Sequence, residues 1–528
     1  MTVDPITLEV LRNALEAVAQ EMGAVLKLTA FSPNIKERMD ASTAIFDARA
    51  QLVAQAEHVP VHLGAMMRAM PAILARSGPL EAGDVIVVND PFVGGAHLPD
   101  ITLVAPVHVR DAQHGDRLVG YLACRAHHSD VGGMEPGSMP GRSTEVFQEG
   151  LIIPPVRLVR AGAEQADVMA LILANVRTPE ERRGDLNAQL ACLRVGARRL
   201  AEIAGRYGAD TLVAGFDAIL DYSERRMRRR LAELPPGTYL AEDRLDDDGT
   251  SDEPVPIRVS VTVSPERLIL DFAGTAPQRA GNVNAVAPMA QSAAFFAVKV
   301  LTDPTLPPNA GVLRAIEIRI PEGSVLDARH PAAVCAGNTE TTQRVCDTVL
   351  RAFAQVAPDR IPAASQGTMN LIGIGGRDPR TGRSYTYIET ICGGQGGRPR
   401  GPGMDAVQVN MTNTLNTPVE SLEIAYPLRV ERYELRDVPG GGGLHPGGRG
   451  VVRALRVLDH EARVSLQTDR RRHAPYGLHG GEDGRPGINR LVDRNGAART
   501  VPGKGSHGVG ADEMVIVETP CGGGWGAP

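Results

Sequence analysis

The first pattern along the chain is a set of apolar residues four positions apart. They are Val10, Ala14, Val18, Met22 and Leu26. Side chains at this spacing lie on one face of an α-helix. Asp4 and Pro5 come just before them, as an N-cap residue followed by a proline in the first turn. We therefore predict an N-terminal helix that buries one face.

Between residues 41 and 125 the pattern changes to short apolar runs bounded by polar turns. Such runs are typical of strands. We predict a strand that folds back near Asp47, a helix over His62–Ser77, a buried strand over Asp84–Asn89, and a strand pair formed by Ile101–Val109 and Leu118–Arg125. The strand over Asp84–Asn89 leads into the loop that contains His97 and Asp100, and the second strand of the pair ends at His127, so two strands converge on one site.

Residues 178–234 are again helical in pattern, whereas residues 257–263 alternate apolar and polar positions. The Pro-Pro-Gly stretch at 235–237 between them indicates a boundary. Two further helices are predicted, over Asn284–Leu301 and Thr341–Val356. We expect a mixed α+β fold with a helix-rich N-terminal domain at 1–234, including the helical segment 178–234, and a strand- and glycine-rich C-terminal region at 235–528.

The composition narrows the class of protein. The chain has 528 residues, 43% of them hydrophobic, which suffices for a large core. A net charge of -6 argues against nucleic-acid binding. No apolar run is long enough to span a membrane, and the first residues do not form a signal peptide. The six cysteines lack C-x-x-C spacing, which argues against a disulfide scaffold. We expect a cytoplasmic protein.

Imidazole and carboxylate side chains recur in three glycine- or proline-rich stretches. Asp40 ends the first stretch, His97 and Asp100 lie in the second, and His127 lies in the third. Such side chains are the ligands of catalytic transition-metal ions. A single histidine is more often a structural hydrogen-bonding residue. Because seven of the 13 histidines precede residue 129, however, the metal-site hypothesis stands beside the structural one.

Two glycine-containing stretches suggest a nucleotide site but lack its essential residues. Before Gly503 and Lys504, a phosphate-binding loop needs a glycine where this chain has Ala498, and Gly505 separates Lys504 from the serine. A dinucleotide fingerprint beginning at residue 373 would need a glycine at Asp378. The sequence therefore shows no recognisable nucleotide site of its own.

Eight motifs, in this order, resemble the hydantoinase B/oxoprolinase family over nearly the whole length. They are Ser32–Asp40, Glu57–Gly64, Asn89–Asp100, His127–Gly133, Gly281–Asn284, Gly337–Thr342, Gly393–Gly397 and Thr519–Gly524. The resemblance implies the metal-bearing subunit of an ATP-dependent cyclic amidase. A hydantoinase A-type partner would bind ATP and phosphorylate the carbonyl of a hydantoin, 5-oxoproline or lactam ring. A hetero-oligomer is expected.

The resemblance also implies roles for particular residues. The metal ligands fall on Asp40, His97, Asp100 and His127, for a Zn, Mn or Fe ion. His127 is chosen over its neighbour because many relatives have an aromatic residue at the second position.

Two further sets of residues complete the expected site. Asp130 or His128 is the candidate catalytic proton acceptor. Asn89 and the loop residues Gly394, Gln395 and Gly396, which are rich in backbone N–H groups, are candidates for substrate binding.

Two other functions stay open. The family's motifs are shared with the alpha subunits of ATP-dependent acetone and acetophenone carboxylases, so the chain could belong to a ketone carboxylase. It could also be a non-catalytic scaffold for its ATPase partner. The length of the chain favours the amidase, because carboxylase alpha subunits tend to be longer.

Overall fold

A computed structural model describes residues 3–57, 59–62, 64–111 and 115–528, without the side chains at 57 and 111. His58, in one of the family motifs, and residues 112–114, in the predicted turn between two strands, lie outside this description. Helices make up 31% and strands 27% of the structure, which confirms a mixed α+β fold. No helix in the described part is long and apolar enough to cross a membrane.

The helices follow the predicted order, with several short additions. They are α1 (Pro5–Thr29), α2 (Pro33–Lys36), α3 (Ala65–Ser77), α4 (Ala166–Ala174), α5 (Pro179–Tyr207), α6 (Ala209–Leu231), α7 (Ala287–Thr302), α8 (Ala310–Leu313), α9 (Thr342–Val356) and α10 (Val419–Ala425). A π-helical turn over Gly337–Thr341 leads into α9.

The strands are numbered in chain order and form four sheets. They are β1 (Ala41–Asp47), β2 (Leu52–Glu57), β3 (Val85–Val88), β4 (Asp100–Asp111), β5 (Gly115–His127), β6 (Val156–Arg160), β7 (Ala163–Glu164), β8 (Gly237–Leu245), β9 (Val255–Val263), β10 (Leu268–Asp271), β11 (Ile316–Arg319), β12 (Leu371–Arg377), β13 (Ser384–Thr390), β14 (Leu428–Leu435), β15 (Val451–Val457), β16 (Ala462–Gln467), β17 (Ile488–Val492), β18 (Ala498–Val501), β19 (Lys504–Val509) and β20 (Met514–Glu518).

Helix α1 begins as predicted, but its buried face is slightly rotated. The Asp4 side chain accepts hydrogen bonds from the first-turn N–H groups of Ile6 and Thr7. Val10, expected to be buried, is 43% exposed. A helical turn takes 3.6 residues, so a constant spacing of four drifts by about 40° at each step. The buried residues instead combine spacings of three and four, at Leu11, Leu15, Val18, Ala19, Met22, Gly23 and Leu26.

The sheet that carries the candidate site has the strand order β2-β1-β5-β4-β3-β6-β7. Its central pair, β4 and β5, is antiparallel, and β1 is antiparallel to β5. Helices α1 and α5 pack against these strands. The site therefore lies at the end of the most extensively paired strands of the molecule.

The hydrophobic core does not end at the predicted boundary near residue 234. One cluster of buried residues runs from Leu11 through Met369 and includes Met411. A second cluster lies between Ile372 and Val517. The sheet formed by β8–β11 therefore shares a core with the N-terminal sheet. The division at residues 234 and 235 stays a prediction.

Four glycine-rich stretches pack against one another and form what we call the glycine bundle, residues 393–403, 440–450, 477–487 and 519–526. Their backbones are joined directly: Gly394 N–H donates to the carbonyl of Pro520, and Gly448 N–H donates to that of Gln395. A Cβ atom on Gly394 would lie 2.0 Å from the Gly448 carbonyl oxygen. Glycine is required here because the backbones approach too closely for any side chain.

Candidate metal centre

Three predicted ligands converge in the interior at the end of β4 and β5. His97 Nε2 lies 3.1 Å from His127 Nδ1. Each of these nitrogens lies 3.2 Å from Asp100 Oδ1. All three residues are buried. The structure thus brings together two imidazole nitrogens and one carboxylate oxygen in a nearly equilateral triangle.

Strand pairing and one tight loop produce this convergence. Asp100 begins β4 and His127 ends β5, and the two residues are direct partners across the antiparallel pair. His97 lies in the loop just before Asp100. Asn89 holds that loop by donating from its side-chain amide to the carbonyls of Leu98 and Leu151. The register of this one strand pair therefore brings Asp100 and His127 together.

The spacing of the three atoms fits a metal ion. Ligand atoms bound tetrahedrally at about 2.0–2.1 Å from zinc lie roughly 3.3 Å apart. The Nδ1–H of His97 donates to the carbonyl of Cys335, at 3.2 Å. Since a carbonyl only accepts, the lone pair of His97 must be on Nε2, which points into the triangle. A backbone carbonyl that orients a ligand histidine in this way is typical of metal sites.

Several buried polar atoms at this point make no hydrogen bond of ordinary geometry within the described residues. They are His62 Nε2, Asp100 Oδ1, His127 Nε2 and Asn338 Oδ1. Buried polar groups are normally hydrogen-bonded, because leaving them unpaired costs free energy. A concentration of unpaired atoms around one carboxylate indicates that a bound group belongs there.

Asp100 and His127 each shift the pKa of the other toward its charged form. Burial alone would raise the pKa of Asp100, but its electrostatic interaction with His97 and its contacts with His127, His62 and His97 hold that pKa well below its usual range. Burial would lower the pKa of His127, and the contact with Asp100 and the charges of Asp40 and Asp100 outweigh it, so this pKa is raised. Asp100 is therefore an ionised carboxylate in the interior, which is the form that binds metal ions.

Asp40, the fourth predicted ligand, lies beside the triangle but not within it. Its main-chain carbonyl accepts from His127 N–H at 3.0 Å. Its side chain accepts from the amide of Asn34 at 3.3 Å. Unlike the other three residues, Asp40 is partly exposed. Its role as a ligand stays a prediction.

Two residues at the site were not predicted from the sequence. His62 Nε2 lies 3.5 Å from the second oxygen of Asp100. Asn338 places its side-chain nitrogen 3.0 Å from His97 Nε2. Both residues belong to motifs that carried the family resemblance, Glu57–Gly64 and Gly337–Thr342. Their place in these motifs is the sequence feature that could have identified His62 and Asn338 as site residues. No spacing pattern connects these two residues to residues 97–127.

The two candidate proton acceptors make other contacts. His128 donates from Nε2 to the side-chain oxygen of Gln189 on α5, at 3.0 Å. Burial, followed by the charge of Arg182, lowers the pKa of His128 to about 4. Asp130 accepts from the backbone N–H of Gly132 and from the guanidinium of Arg177. Both side chains thus support the structure around the triangle, and their catalytic role stays a prediction.

The candidate substrate-binding residues are also held by the protein itself. Asn89 uses both ends of its amide within the fold, because its oxygen accepts from Ile153 N–H. Gly394 and Gly396 are buried in the glycine bundle, and the side-chain oxygen of Gln395 accepts from Met404 N–H. Contact of these residues with a substrate stays a prediction.

Lys504, in the stretch that partly resembles a phosphate loop, is fully enclosed. Its ammonium donates to Asp469 at 2.8 Å and lies 3.4 Å from Asp247. Because these carboxylates surround the ammonium, a nucleotide phosphate has no access to it. The enclosed position of Lys504 therefore supports the interpretation, made from the sequence, that this stretch is not a nucleotide site.

The sequence of this chain is similar to those of known proteins over nearly its whole length. Residues 4–528 match the family described as Hydantoinase B/oxoprolinase. An uncharacterized protein of Methanocaldococcus jannaschii is 38% identical over 100% of this chain and 91% of its own length. The B-type chain of a putative D-/L-hydantoinase from a Pseudomonas strain is 33% identical, over 100% of this chain and 90% of its own length. Arabidopsis thaliana 5-oxoprolinase 1 is 36% identical over 99% of this chain, which spans 42% of that longer protein.

Solved structures show the same fold. The ATP-dependent caprolactamase of Pseudomonas jessenii superimposes with a TM-score of 0.92 at 29% identity, over 100% of this chain and 92% of that one. A nucleotide-free acetone carboxylase superimposes with a TM-score of 0.90 at 17% identity, over 99% of this chain and 76% of that one. The second similarity shows the fold alone. The chain belongs to the hydantoinase B/oxoprolinase family.

Proposed function

We propose that this chain is the metal-binding subunit of an ATP-dependent cyclic amidase and acts with a hydantoinase A-type partner that binds ATP. The observation that carries the proposal is the buried triangle of His97, Asp100 and His127. The similarity to the caprolactamase and to the B-type hydantoinase chain, over nearly their full lengths, supports the choice of reaction.

In this proposal His97, Asp100 and His127 would hold a divalent ion, and Asp40 would complete the ligand set. Mixed nitrogen and oxygen donors suit Zn²⁺, Mn²⁺ or Fe²⁺. Such an ion, when bound, polarises a substrate oxygen and lowers the pKa of a coordinated water molecule. The chain's own residues orient and enclose it: the Cys335 carbonyl fixes the His97 ring, and Asp100 is kept ionised.

The reaction needs ATP because a ring amide is stabilised by resonance. In the proposed sequence the partner transfers the terminal phosphoryl group of ATP to the amide oxygen. One water molecule then adds to the activated carbon beside the triangle, and the ring C–N bond breaks as the nitrogen takes up a proton. A second water molecule hydrolyses the acyl phosphate that remains, which releases phosphate and leaves the carboxylate. Overall, one ring amide, one ATP and two water molecules give the open-chain amino carboxylate, ADP and phosphate.

A proton acceptor must take the proton of the attacking water. Asp130 and His128 are the proposed acceptors, as the family resemblance implies. Asp130 is tied to Arg177 and His128 to Gln189. Either residue would have to give up one of these contacts, or act through a water molecule, to reach the reacting atoms.

Reconstitution with the partner subunit tests the proposal. We expect ADP release from the complex to be stimulated by a hydantoin, 5-oxoproline or a lactam, with ring-opened product in equal amount, and neither chain to do this alone. Stimulation only by acetone with bicarbonate would overturn the amidase in favour of a ketone carboxylase. Full activity with His97→Ala would instead leave the chain as a scaffold.

A further inference from the structure

Asn338 brings a fourth polar group to the triangle from a distant part of the chain. Its side-chain nitrogen lies 3.0 Å from His97 Nε2 and 3.4 Å from the Oδ2 atom of Asp100. The residue is buried, and its side-chain oxygen has no hydrogen-bond partner in the described residues. Thus one end of the amide contacts the site and the other end is unsatisfied.

The hydrogen bond from Asn338 to His97 competes with metal binding. It uses the Nε2 lone pair of His97, which is the lone pair that a metal ion needs. Once an ion takes that lone pair, the N–H group of Asn338 faces a cation, and the interaction becomes repulsive. A half-turn of the amide exchanges its nitrogen and oxygen, which have nearly the same size and position. The oxygen then replaces the nitrogen beside His97.

The position that the oxygen would reach matches the spacing of the other donor atoms. It is 3.0 Å from His97 Nε2, whereas the three atoms of the triangle are 3.1–3.2 Å apart. Amide and carbonyl oxygens are common ligands of hard divalent cations. The rotation also uses the oxygen that has no partner in its present orientation.

The backbone around Asn338 is fixed, so the amide is the part that can turn. Asn338 lies in the π-helical turn before α9, and Thr342 donates from its hydroxyl to the Asn338 carbonyl at 2.6 Å. A Cβ atom on Gly337 would lie 1.9 Å from the Asn284 carbonyl oxygen, so this turn packs tightly against the chain beneath it. Turns of π-helix occur frequently at functional sites.

The same segment contacts both nitrogens of the His97 ring. The Cys335 carbonyl accepts from Nδ1, and the Asn338 amide contacts Nε2. The contacts therefore assign this segment to the metal site as well as to the core.

We infer that Asn338 is a further metal ligand that acts as an amide switch. It donates to His97 when no ion is bound and coordinates through Oδ1 when one is bound. The inference rests on the proposed metal centre. It adds an oxygen donor to a set of two nitrogens and one or two carboxylates. Because oxygen donors suit Mn²⁺ better than they suit Zn²⁺, removal of Asn338 weakens Mn²⁺ binding more than Zn²⁺ binding.

Metal titration of the purified full-length chain tests the switch. The variants are Asn338→Leu, which keeps the volume but removes the donor, and Asn338→Asp, which keeps an oxygen in place. Gln343→Leu is the matched control, because Gln343 is a buried amide on the following helix with one donated bond, to Val409, and an unpartnered oxygen. Co²⁺ reports the ligand set through its visible absorption spectrum, and Mn²⁺ and Zn²⁺ report the preference.

We expect Asn338→Leu to bind Co²⁺ and Mn²⁺ roughly 10- to 100-fold more weakly, the range known for residues that support a metal site, and to have an altered Co²⁺ spectrum. Asn338→Asp should bind at least as tightly as the wild type, and Gln343→Leu should match the wild type in affinity and spectrum.

The outcomes separate the inference from the proposed function. Wild-type affinity and spectrum in Asn338→Leu would overturn the switch and leave the metal centre standing. A wild-type chain that binds none of the three ions would overturn both. If Asn338→Leu does not fold, Asn338→Asp decides, since weaker binding than the wild type would contradict an oxygen ligand at this position.

Discussion

The proposed metal centre and the glycine bundle are constrained in opposite ways. In the metal centre, side chains from distant segments converge and several polar atoms stay unpaired. In the glycine bundle, side chains are absent and neighbouring backbones hydrogen-bond to one another directly. The unpaired atoms of the first region are open to a bound group, whereas the backbone groups of the second are hydrogen-bonded to one another.

This difference predicts different consequences of substitution. Removing a donor atom from the metal centre should remove chemistry and preserve the fold, because the atom was not needed for packing. Adding a single methyl group to the bundle should destroy the fold, because there is no space for it. Substitutions in both regions test this contrast, in order of decreasing effect.

Gly394→Ala should have the largest effect. The new Cβ would lie 2.0 Å from the Gly448 carbonyl oxygen and 2.5 Å from the Gly522 nitrogen, both of them backbone atoms that cannot rotate away. We expect a loss of at least about 4 kcal/mol in the free energy of unfolding, or no folded protein. Circular dichroism and thermal unfolding measure the change.

The matched control for that substitution is Gly205→Ala. Gly205 lies within α5, and a Cβ atom there would meet no heavy atom within 4 Å. Alanine should stabilise the helix by roughly 0.5–1 kcal/mol. If the two alanine variants unfolded alike, the close packing of the bundle would be wrong.

Asp100→Asn should abolish activity without loss of the fold. The variant keeps the shape of a buried side chain that lies 3.2 Å from both imidazoles but removes its charge. We expect turnover by the complex with the partner subunit to fall by more than about 100-fold, beyond the effect of a supporting residue. The circular dichroism spectrum should be unchanged. A fully active Asp100→Asn complex would separate the triangle from catalysis.

Glu340→Gln tests whether an unpartnered buried group always marks a binding site. Neither Glu340 oxygen makes a hydrogen bond of ordinary geometry in the described residues. Burial, followed by the charge of Asp469, raises the pKa of Glu340 to about 8. A raised carboxyl pKa contributes stability that is complete below the ordinary value and is lost as pH rises through about 8. In contrast to the metal centre, a proton is enough to satisfy this group.

We therefore expect the wild type to lose stability between pH 5 and pH 9 relative to Glu340→Gln, by roughly 2–5 kcal/mol. Denaturant unfolding at both pH values measures the difference. Parallel stability curves for the two proteins would show that Glu340 ionises normally.

His128→Gln should have a smaller effect of the opposite sign. The pKa of His128 is lowered to about 4, so the native state keeps this ring neutral. A lowered histidine pKa contributes stability that is present above about 6.5 and is lost as pH falls toward 4. The variant should lose roughly 1–3 kcal/mol less than the wild type between pH 7 and pH 4.5, as measured by denaturant unfolding.

The same variant distinguishes the two proposed proton acceptors. A fall in kcat of about 10²-fold or more with normal metal content would assign the proton transfer to His128. An unchanged kcat would leave it with Asp130. Pairing each measurement with metal content keeps loss of the ion from being mistaken for loss of the acceptor.

The sequence was most informative where local pattern determines geometry. The strand pair formed by residues 101–109 and 118–125 was visible as alternating runs, and pairing its ends brings Asp100 opposite His127. His97 lies three residues from Asp100, so it had to be near. These three positions could therefore be predicted before any long-range contact was known.

The sequence was least informative where packing joins distant segments. Asn338 contacts a residue 241 positions away, and no periodicity connects them. The glycine clusters indicated loops, but not that Gly394 and Gly448 pack backbone to backbone. Glycine carries no side chain whose polarity could reveal its neighbour. Contacts of this kind follow from the whole fold and not from local sequence.

Metal stoichiometry of the purified chain is the most direct test of the central claim. After chelation and dialysis, we expect the wild type to bind one divalent transition-metal ion per chain, and His97→Ala and His127→Ala to bind it more than about 100-fold more weakly. Atomic emission or mass spectrometry counts the ions, and circular dichroism confirms that all three proteins are folded. Equal binding by the wild type and both variants, or full activity of an ion-free complex, would contradict the assignment of His97, Asp100 and His127 as a metal centre.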